Sequence, residues 1–232
     1  MHCLVVDDEY LPRGGTTVTL ERIQPGIKVT EASCLDEAFQ AFDQSPDIEL
    51  VVLDLNLGTS RGIDTLKSMT HWCDERNLCP RIVVLSGAGD NNPALVLDVL
   101  ETHGTGFILK NTPKKIFEHA LRLTLDGGIF IPREILRQIK MPPPPNQPAP
   151  GPLAADLSAL TPRERDIAKL LIKGWSYKRI ANQLVGLDGK QLAEATVRRH
   201  VGNIASKFNV GNGVRPRSGV MARLAIFGTE FL

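Results

Sequence analysis

Four short apolar runs in the first half of the chain end in residues that can hold or move charge. CLVV (3–6) runs into Asp7 and Asp8, LVVL (50–53) into Asp54, RIVVL (81–85) into Ser86, and GFIL (106–109) into Lys110. Taken singly, each has an ordinary explanation, since Asp and Ser cap helices and a lysine often ends a strand. Taken together they are three carboxylates, a hydroxyl and an ammonium at corresponding places along the chain. Neighbouring carboxylates repel unless a cation neutralises them. Asp7, Asp8 and Asp54 therefore suggest a hard divalent ion, with Mg²⁺ favoured because it takes a few oxygens and keeps several waters. The backbone carbonyl of Asn56, two residues beyond Asp54, is a candidate further ligand. A carboxylate can also attack phosphorus and form an aspartyl phosphate. Lys110 and the ion would then neutralise phosphoryl oxygens, and the Ser86 hydroxyl would donate a hydrogen bond to one.

Such residues meet only if the runs are neighbouring strands. A fifth run, IKVTEA (27–32), completes the set, and amphipathic stretches at 35–44, 62–76, 93–102 and 113–125 alternate with the runs. Continuous, β-branched runs suit strands buried on both faces. Five strand–helix repeats predict an α/β domain with a doubly wound parallel sheet, which binds ligands beyond the carboxyl ends of its strands. The stretch after Asp8 is the least helical of these by composition, because it contains Gly14 and Gly15.

The chain has 232 residues and a formal charge of +1. That near-neutrality is a cancellation. Residues 1–140 hold 14 Lys/Arg against 20 Asp/Glu, a net −6, and residues 141–232 hold 13 against 6, a net +7. An acidic and a basic half imply two domains with different partners. Between them MPPPPNQPAPGP (141–152) carries seven of the sixteen prolines and no charge. Proline excludes both helix and central strand there, leaving a semi-rigid spacer of roughly 35 Å if extended. No apolar run approaches the length of a membrane span, and the first residues do not form a signal peptide, so a cytoplasmic protein is expected. The four cysteines read as reduced thiols; the Cys73–Cys79 spacing with His71 nearby is unusual for zinc.

The basic half reads as helices near 162–173, 176–184, 194–208 and 217–227. Thr161, Pro162 and Glu164 form a capping-box start, Ile167, Leu170 and Leu171 mark one face, and Gly174 ends the helix. The second helix follows Ser176 and turns Ile180, Ala181 and Leu184 inward. In the third, Val197, Val201, Ile204 and Phe208 recur at helical spacing, while Arg198, Arg199, His200 and Lys207 fall on the other face. A charged face of this kind is either merely solvated or suited to a polyanion.

VVDDE, LDLNLGTSRG, VVLSGAG and GFILK together resemble the receiver domain of two-component response regulators, over about residues 1–125. The resemblance implies a flavodoxin-like five-stranded fold, with Asp54 as phosphoacceptor from a sensor histidine kinase. It also implies Mg²⁺ held by Asp8, Asp54 and the Asn56 carbonyl with Asp7 in the outer shell, Ser86 and Lys110 as switch hydroxyl and lysine, and Phe107 as the rotating aromatic. Gly58 and Asn111 stand where the family commonly has proline. Gly87 keeps a small residue beside the hydroxyl.

LTPRE, IANQL and TVRRHVGNI resemble a LuxR-type helix-turn-helix of the NarL/FixJ type, in an all-α domain spanning 158–232 after a connecting segment, 126–157. This makes 194–208 the recognition helix in the major groove of double-stranded DNA. Arg198 and Arg199 would read base edges, and Thr196, Lys178, Lys207 and His200 would hold phosphates or pack. Gly202 removes one contact position. The segment VGLDGKQLAEA makes the turn roughly six residues longer than the family's tight one, either as a loop or as an extra helical turn. Val220, Leu224 and Phe227 of the last helix either form a dimer surface or pack inward.

The expectation is a phosphorylation-controlled transcription regulator, homodimeric when phosphorylated, in which that event shifts dimerisation or domain docking and exposes the basic face to DNA. One alternative is a phosphorylation-independent regulator that uses the receiver to dimerise. The other is an Asp-nucleophile phosphohydrolase, which would need an acid where Asn56 stands.

Overall fold

The computed structural model describes residues 1–138 other than 59 and 88–91, and residues 159–227 other than 187–188, 209 and 211–213. The proline-rich spacer 141–152 lies outside the described residues. The first half alternates β1 (His2–Val6), α1 (Tyr10–Ile23), β2 (Lys28–Ala32), α2 (Leu35–Gln44) and β3 (Leu50–Asp54). A two-residue hairpin, β4 (Asn56–Leu57) and β5 (Ser60–Arg61), precedes α3 (Ile63–Glu75), β6 (Arg81–Ser86), α4 (Pro93–Glu101), β7 (Gly104–Leu109), α5 (Lys114–Leu125) and α6 (Arg133–Gln138). The long strands form one parallel sheet in the order β2-β1-β3-β6-β7.

Strand alternation sorts the apolar runs onto two faces. Leu4, Val6, Val51, Leu53, Ile82 and Val84 enter one core, and Cys3, Val5, Leu50, Val52, Val83 and Leu85 the other. Both faces are covered, so the runs need no polar alternation. Helix α1 continues through Gly14 and Gly15. Burial of Thr16, Leu20 and Ile23 against the sheet outweighs the low propensity of two glycines, each about 1 kcal/mol below alanine. The short helix α6 has no counterpart in the sequence-based expectation.

The second half comprises α7 (Pro162–Ile172), α8 (Tyr177–Gln183), α9 (Glu194–Lys207) and α10 (Pro216–Phe227). The capping box forms as expected: Glu164 N–H donates to Thr161 Oγ1 at 3.3 Å, and Thr161 N–H to Glu164 Oε2 at 2.8 Å. Gly174 ends α7 at φ +81°, where a Cβ would lie 2.8 Å from the Thr105 methyl of the receiver half. The long turn between α8 and α9 is a small hairpin, not an extra turn of helix. Val185 bridges Gln191, Gly186 N–H donates to Lys190 O at 2.7 Å, and Arg163 holds the Val185 carbonyl.

The two halves are docked. Val96, Val99 and Leu100 of α4 share one core with Val220, Met221 and Leu224 of α10. Val220 and Leu224 thus pack inward. Around them Arg179 donates to Asn77 O at 3.0 Å, and Gly174 abuts His103.

His103, held at φ +66°, lies in this contact; burial first and the Arg217 charge second push its pKa down to about 3. The unfolded chain binds a proton near pH 6.5 that the folded chain refuses, so stability should fall as pH drops from about 6.5 toward 3. His103→Asn, whose side chain tolerates positive φ, should flatten that slope in denaturant titrations at pH 7, 6 and 5.

Candidate functional site

The carboxyl edge of the sheet gathers the expected residues. Pairing of β1 with β3 and β3 with β6 sets Asp7 beyond Val6, Asp54 opposite Leu85, and Ser86 one residue further. Pairing of β6 with β7 places Leu109 opposite Ser86, and Lys110 N–H donates to Ser86 O at 2.7 Å. One open cavity of about 290 Å³ is lined by Asp8, Glu9, Asp54, Asn56, Gly87 and Lys110. Ser86 is buried beside it, and Phe107 is fully buried in β7, in register with Val84.

Lys110 is the electrostatic centre. Its Nζ lies 2.9 Å from Asp54 Oδ2, 3.0 Å from Asp7 Oδ2 and 3.1 Å from Glu9 Oε2. Burial alone would favour the neutral amine, but the carboxylates of Asp54, Asp7 and Glu9 around it outweigh that and raise the lysine's pKa. Asp54 is raised above the ordinary carboxylate range by burial, an effect that Lys110 and the Asn56 N–H only partly offset. Glu9 was not among the sequence candidates. Its signal was an acidic residue directly after the Asp pair, ambiguous because an exposed acidic residue just before a helix is common.

The pocket fits a hard cation. Carboxylate oxygens of Asp7, Asp8 and Asp54 approach within 4.8 Å of one another, the one converging group of three or more potential metal ligands found among the described residues. Asp7 is fully buried, and its Oδ2, although within ion-pair range of Lys110, accepts no well-formed hydrogen bond. A buried carboxylate oxygen left short of donors suits a cation ligand or its water. Gly58 explains its own departure from proline. At φ +53° its N–H donates to Asp8 Oδ2 at 3.0 Å, and proline can supply neither that angle nor that proton.

On the basic half, Lys178, Arg198 and Arg199 are exposed, and Thr196 and His200 are partly exposed. The outer face of α9 is therefore open to solvent while the halves are docked, so docking does not cover it. Arg198 pairs with Glu194 at 2.8 Å and lies 5.0 Å over the Tyr177 ring. Burial and the neighbouring Arg199 charge lower the pKa of His200. Lys207 is committed elsewhere: it bonds the buried Glu164 at 2.6 Å and Ala159 O at 3.0 Å. The cysteines are free, with burial pushing the thiols of Cys3 and Cys73 up to about 12.

A parallel sheet with an acidic pocket at its carboxyl edge, joined to a helix-turn-helix, defines a class. Residues 3–122 match the response regulator receiver domain and residues 158–215 match the bacterial regulatory proteins of the luxR family, and the chain belongs to the response regulators with a LuxR-type DNA-binding output domain. It is 31% identical over 213 residues, 91% of each chain, to the glycerol metabolism activator of Pseudomonas putida. It is 28% identical over 211 residues, 91% of this chain and 90% of the other, to the nitrate/nitrite response regulator protein NarL of Escherichia coli. A solved structure of two RcsB dimers bound to two parallel DNAs shares the fold, with a TM-score of 0.51 at 21% identity, covering 96% of this chain and 98% of that one. These are transcription regulators, not enzymes, which removes the phosphohydrolase alternative. No helix among the described residues is long and apolar enough to cross a membrane.

Gly58→Pro should release Asp8 and weaken divalent-ion binding by about tenfold, as loss of a group orienting a ligand does. Calorimetric titration with Mg²⁺ measures it, and an unchanged affinity would show that the Gly58–Asp8 bond does not organise the site.

Proposed function

We propose that Asp54 is the phosphoacceptor of a two-component system and that Mg²⁺ is the ion of its pocket. The arrangement of Lys110 Nζ 2.9 Å from Asp54 Oδ2, inside a cavity open to solvent, carries this reading. An Asp54 carboxylate oxygen attacks phosphorus of a kinase phosphohistidine. The P–N bond breaks, its electron pair stays on the imidazole, and an acyl phosphate remains on Asp54. Asp7, Asp8, Asp54 and the Asn56 carbonyl would hold Mg²⁺, which supplies charge neutralisation at the phosphoryl oxygens. Lys110 shifts from the free carboxylate to a phosphoryl oxygen, and the Ser86 hydroxyl donates to another. Withdrawal of Ser86 toward the phosphoryl group makes room for Phe107 to turn, a two-position element biased by local charge.

Residues 1–125 form the receiver and 158–232 the output domain in this reading, joined by 126–157, and the protein acts in the cytoplasm as a homodimer when phosphorylated. In the output domain, α9 enters the major groove. Arg199 and Arg198 read bases, with Arg198 first leaving Glu194. Thr196, Lys178 and His200 serve the backbone. Lys207, tied to Glu164, holds the helix in place and contributes to phosphate binding only indirectly.

Incubation with acetyl phosphate and Mg²⁺ should label the wild-type chain and not Asp54→Ala; labelling of that variant would move the acceptor elsewhere. Arg199→Ala should lose about 1–3 kcal/mol of sequence discrimination, whereas Lys178→Ala should weaken all DNA equally and flatten the salt dependence by about one unit. Footprinting at two salt concentrations reads both.

A further inference from the structure

Ten residues, 184–193, separate α8 from α9, where a helix-turn-helix needs a turn of only about three or four. They form a braced element. The two arms pair at Val185 and Gln191, with Leu192 N–H donating to Leu184 O at 3.0 Å and Gly186 N–H to Lys190 O at 2.7 Å. Gly189, at φ +75°, turns the chain and donates its N–H to Gly186 O at 3.1 Å, a conformation glycine adopts without steric cost. The arms alternate as strands do. Leu184 and Leu192 pack against the core of the output half, while Val185 and Gln191 face solvent. A lone hairpin is marginal in water, so its anchors fix its position. Besides the two leucines there is Arg163, at the start of α7, which donates to the Val185 carbonyl.

The anchored hairpin adjoins the end of α9 that enters the groove. In a helix-turn-helix the residues near the N-terminus of the recognition helix contact base edges. Lys190 lies four residues before Glu194, the first residue of α9, a reach of at most about 13 Å at roughly 3.3 Å per residue. The major groove is about 12 Å wide. With α9 in the groove, a side chain at that distance meets the phosphates that border it, not the bases under the helix. The exposed groups are the ones such a contact requires: Gly189, Lys190 and Gln191 face solvent, as do Arg198 and Arg199. Arg163 connects the two surfaces. After burial and Arg199, its charge is a further cause of the lowered pKa of His200, which places the brace close to the outer face of α9. The segment itself holds one lysine and one aspartate, Lys190 and Asp188, and Arg163 makes the local balance positive. That balance suits a single backbone contact and not a second reading head.

We propose that the hairpin between α8 and α9 is a DNA-contacting element in its own right, in which Lys190, steadied by the hold of Arg163 on Val185, binds a backbone phosphate beside the groove that α9 occupies. Its placement rests on the reading of α9 as the recognition helix. A phosphate contact sets register and adds affinity without reading sequence, so the hairpin strengthens binding to every duplex alike.

The test uses the full chain and two duplexes of equal length, one selected by the wild-type chain from a random-sequence pool and one of random sequence. Lys190→Ala, with circular dichroism and melting temperature unchanged, should weaken binding to both by a similar factor. The slope of log affinity against log salt should flatten by about 0.9 for the one phosphate lost. Lys190→Glu, which repels that phosphate, should weaken binding further. Hydroxyl-radical footprinting of the selected duplex should lose protection at sugars flanking the α9 contact and keep it beneath the helix. Lys173→Ala removes the same charge beyond the far end of α7 and should leave the slope as it was. An unchanged slope in Lys190→Ala, or an equal flattening in Lys173→Ala, overturns the hairpin contact. Sequence preference retained in Arg199→Ala would instead count against the reading of α9, while the Lys190 slope still decides the hairpin.

Discussion

One ammonium holds the working edge of this protein together. Asp7, Asp54 and Glu9 converge on Lys110 Nζ within 3.1 Å, and two of those carboxylates are buried. Without a cation such a cluster would protonate or splay apart. Lys110 can serve because β7 lies beside β6 and ends at the same edge as β1 and β3. The parallel sheet is in this sense the device that makes the chemistry affordable. It brings side chains from residues 7, 54 and 110 to one point without any long polar connection through the core. The pocket remains short of one donor at Asp7 Oδ2, which leaves a place for a cation.

The same economy governs the joint between the halves. Helix α4 packs on the sheet with one side and on α10 with the other, so almost all of PALVLDVLE is apolar. Helix α10 is similarly poor in charge beyond its first turn, and its arginines are buried. Apolar helices of this kind need cover on every side. Here each is the other's cover.

Much of the fold was legible in the residues. Helix α2 was placed at its observed bounds by the periodicity of 35–44, and the five runs lie within or beside the observed strands. The pocket was legible as well, because chemistry-bearing residues stood at the ends of all four runs that form it. Three features were not. Gly58 stood out only as a departure from proline, but its value is an N–H aimed at Asp8, and only the loop's path reveals the aim. Lys207 looked like part of a basic face, but a long side chain can turn inward, and the buried Glu164 draws it there. The surface through which the halves dock had no signal either: it is α10, and the outside of α9 stays exposed.

The sequence by itself determined the elements, their alternation, and the inventory of charge at the strand ends. These depend on local periodicity, capping and composition, which a linear reading contains. Tertiary structure alone decided which of the unsatisfied groups meet. Where the halves meet, Arg217 Nε donates to Leu100 O and the Ser218 N–H to Glu101; each group has an ordinary local reading, and the partners are 117 residues apart along the chain. Hydrogen bonds between such groups follow from how two helix ends happen to abut, a matter of packing between halves that no local pattern records.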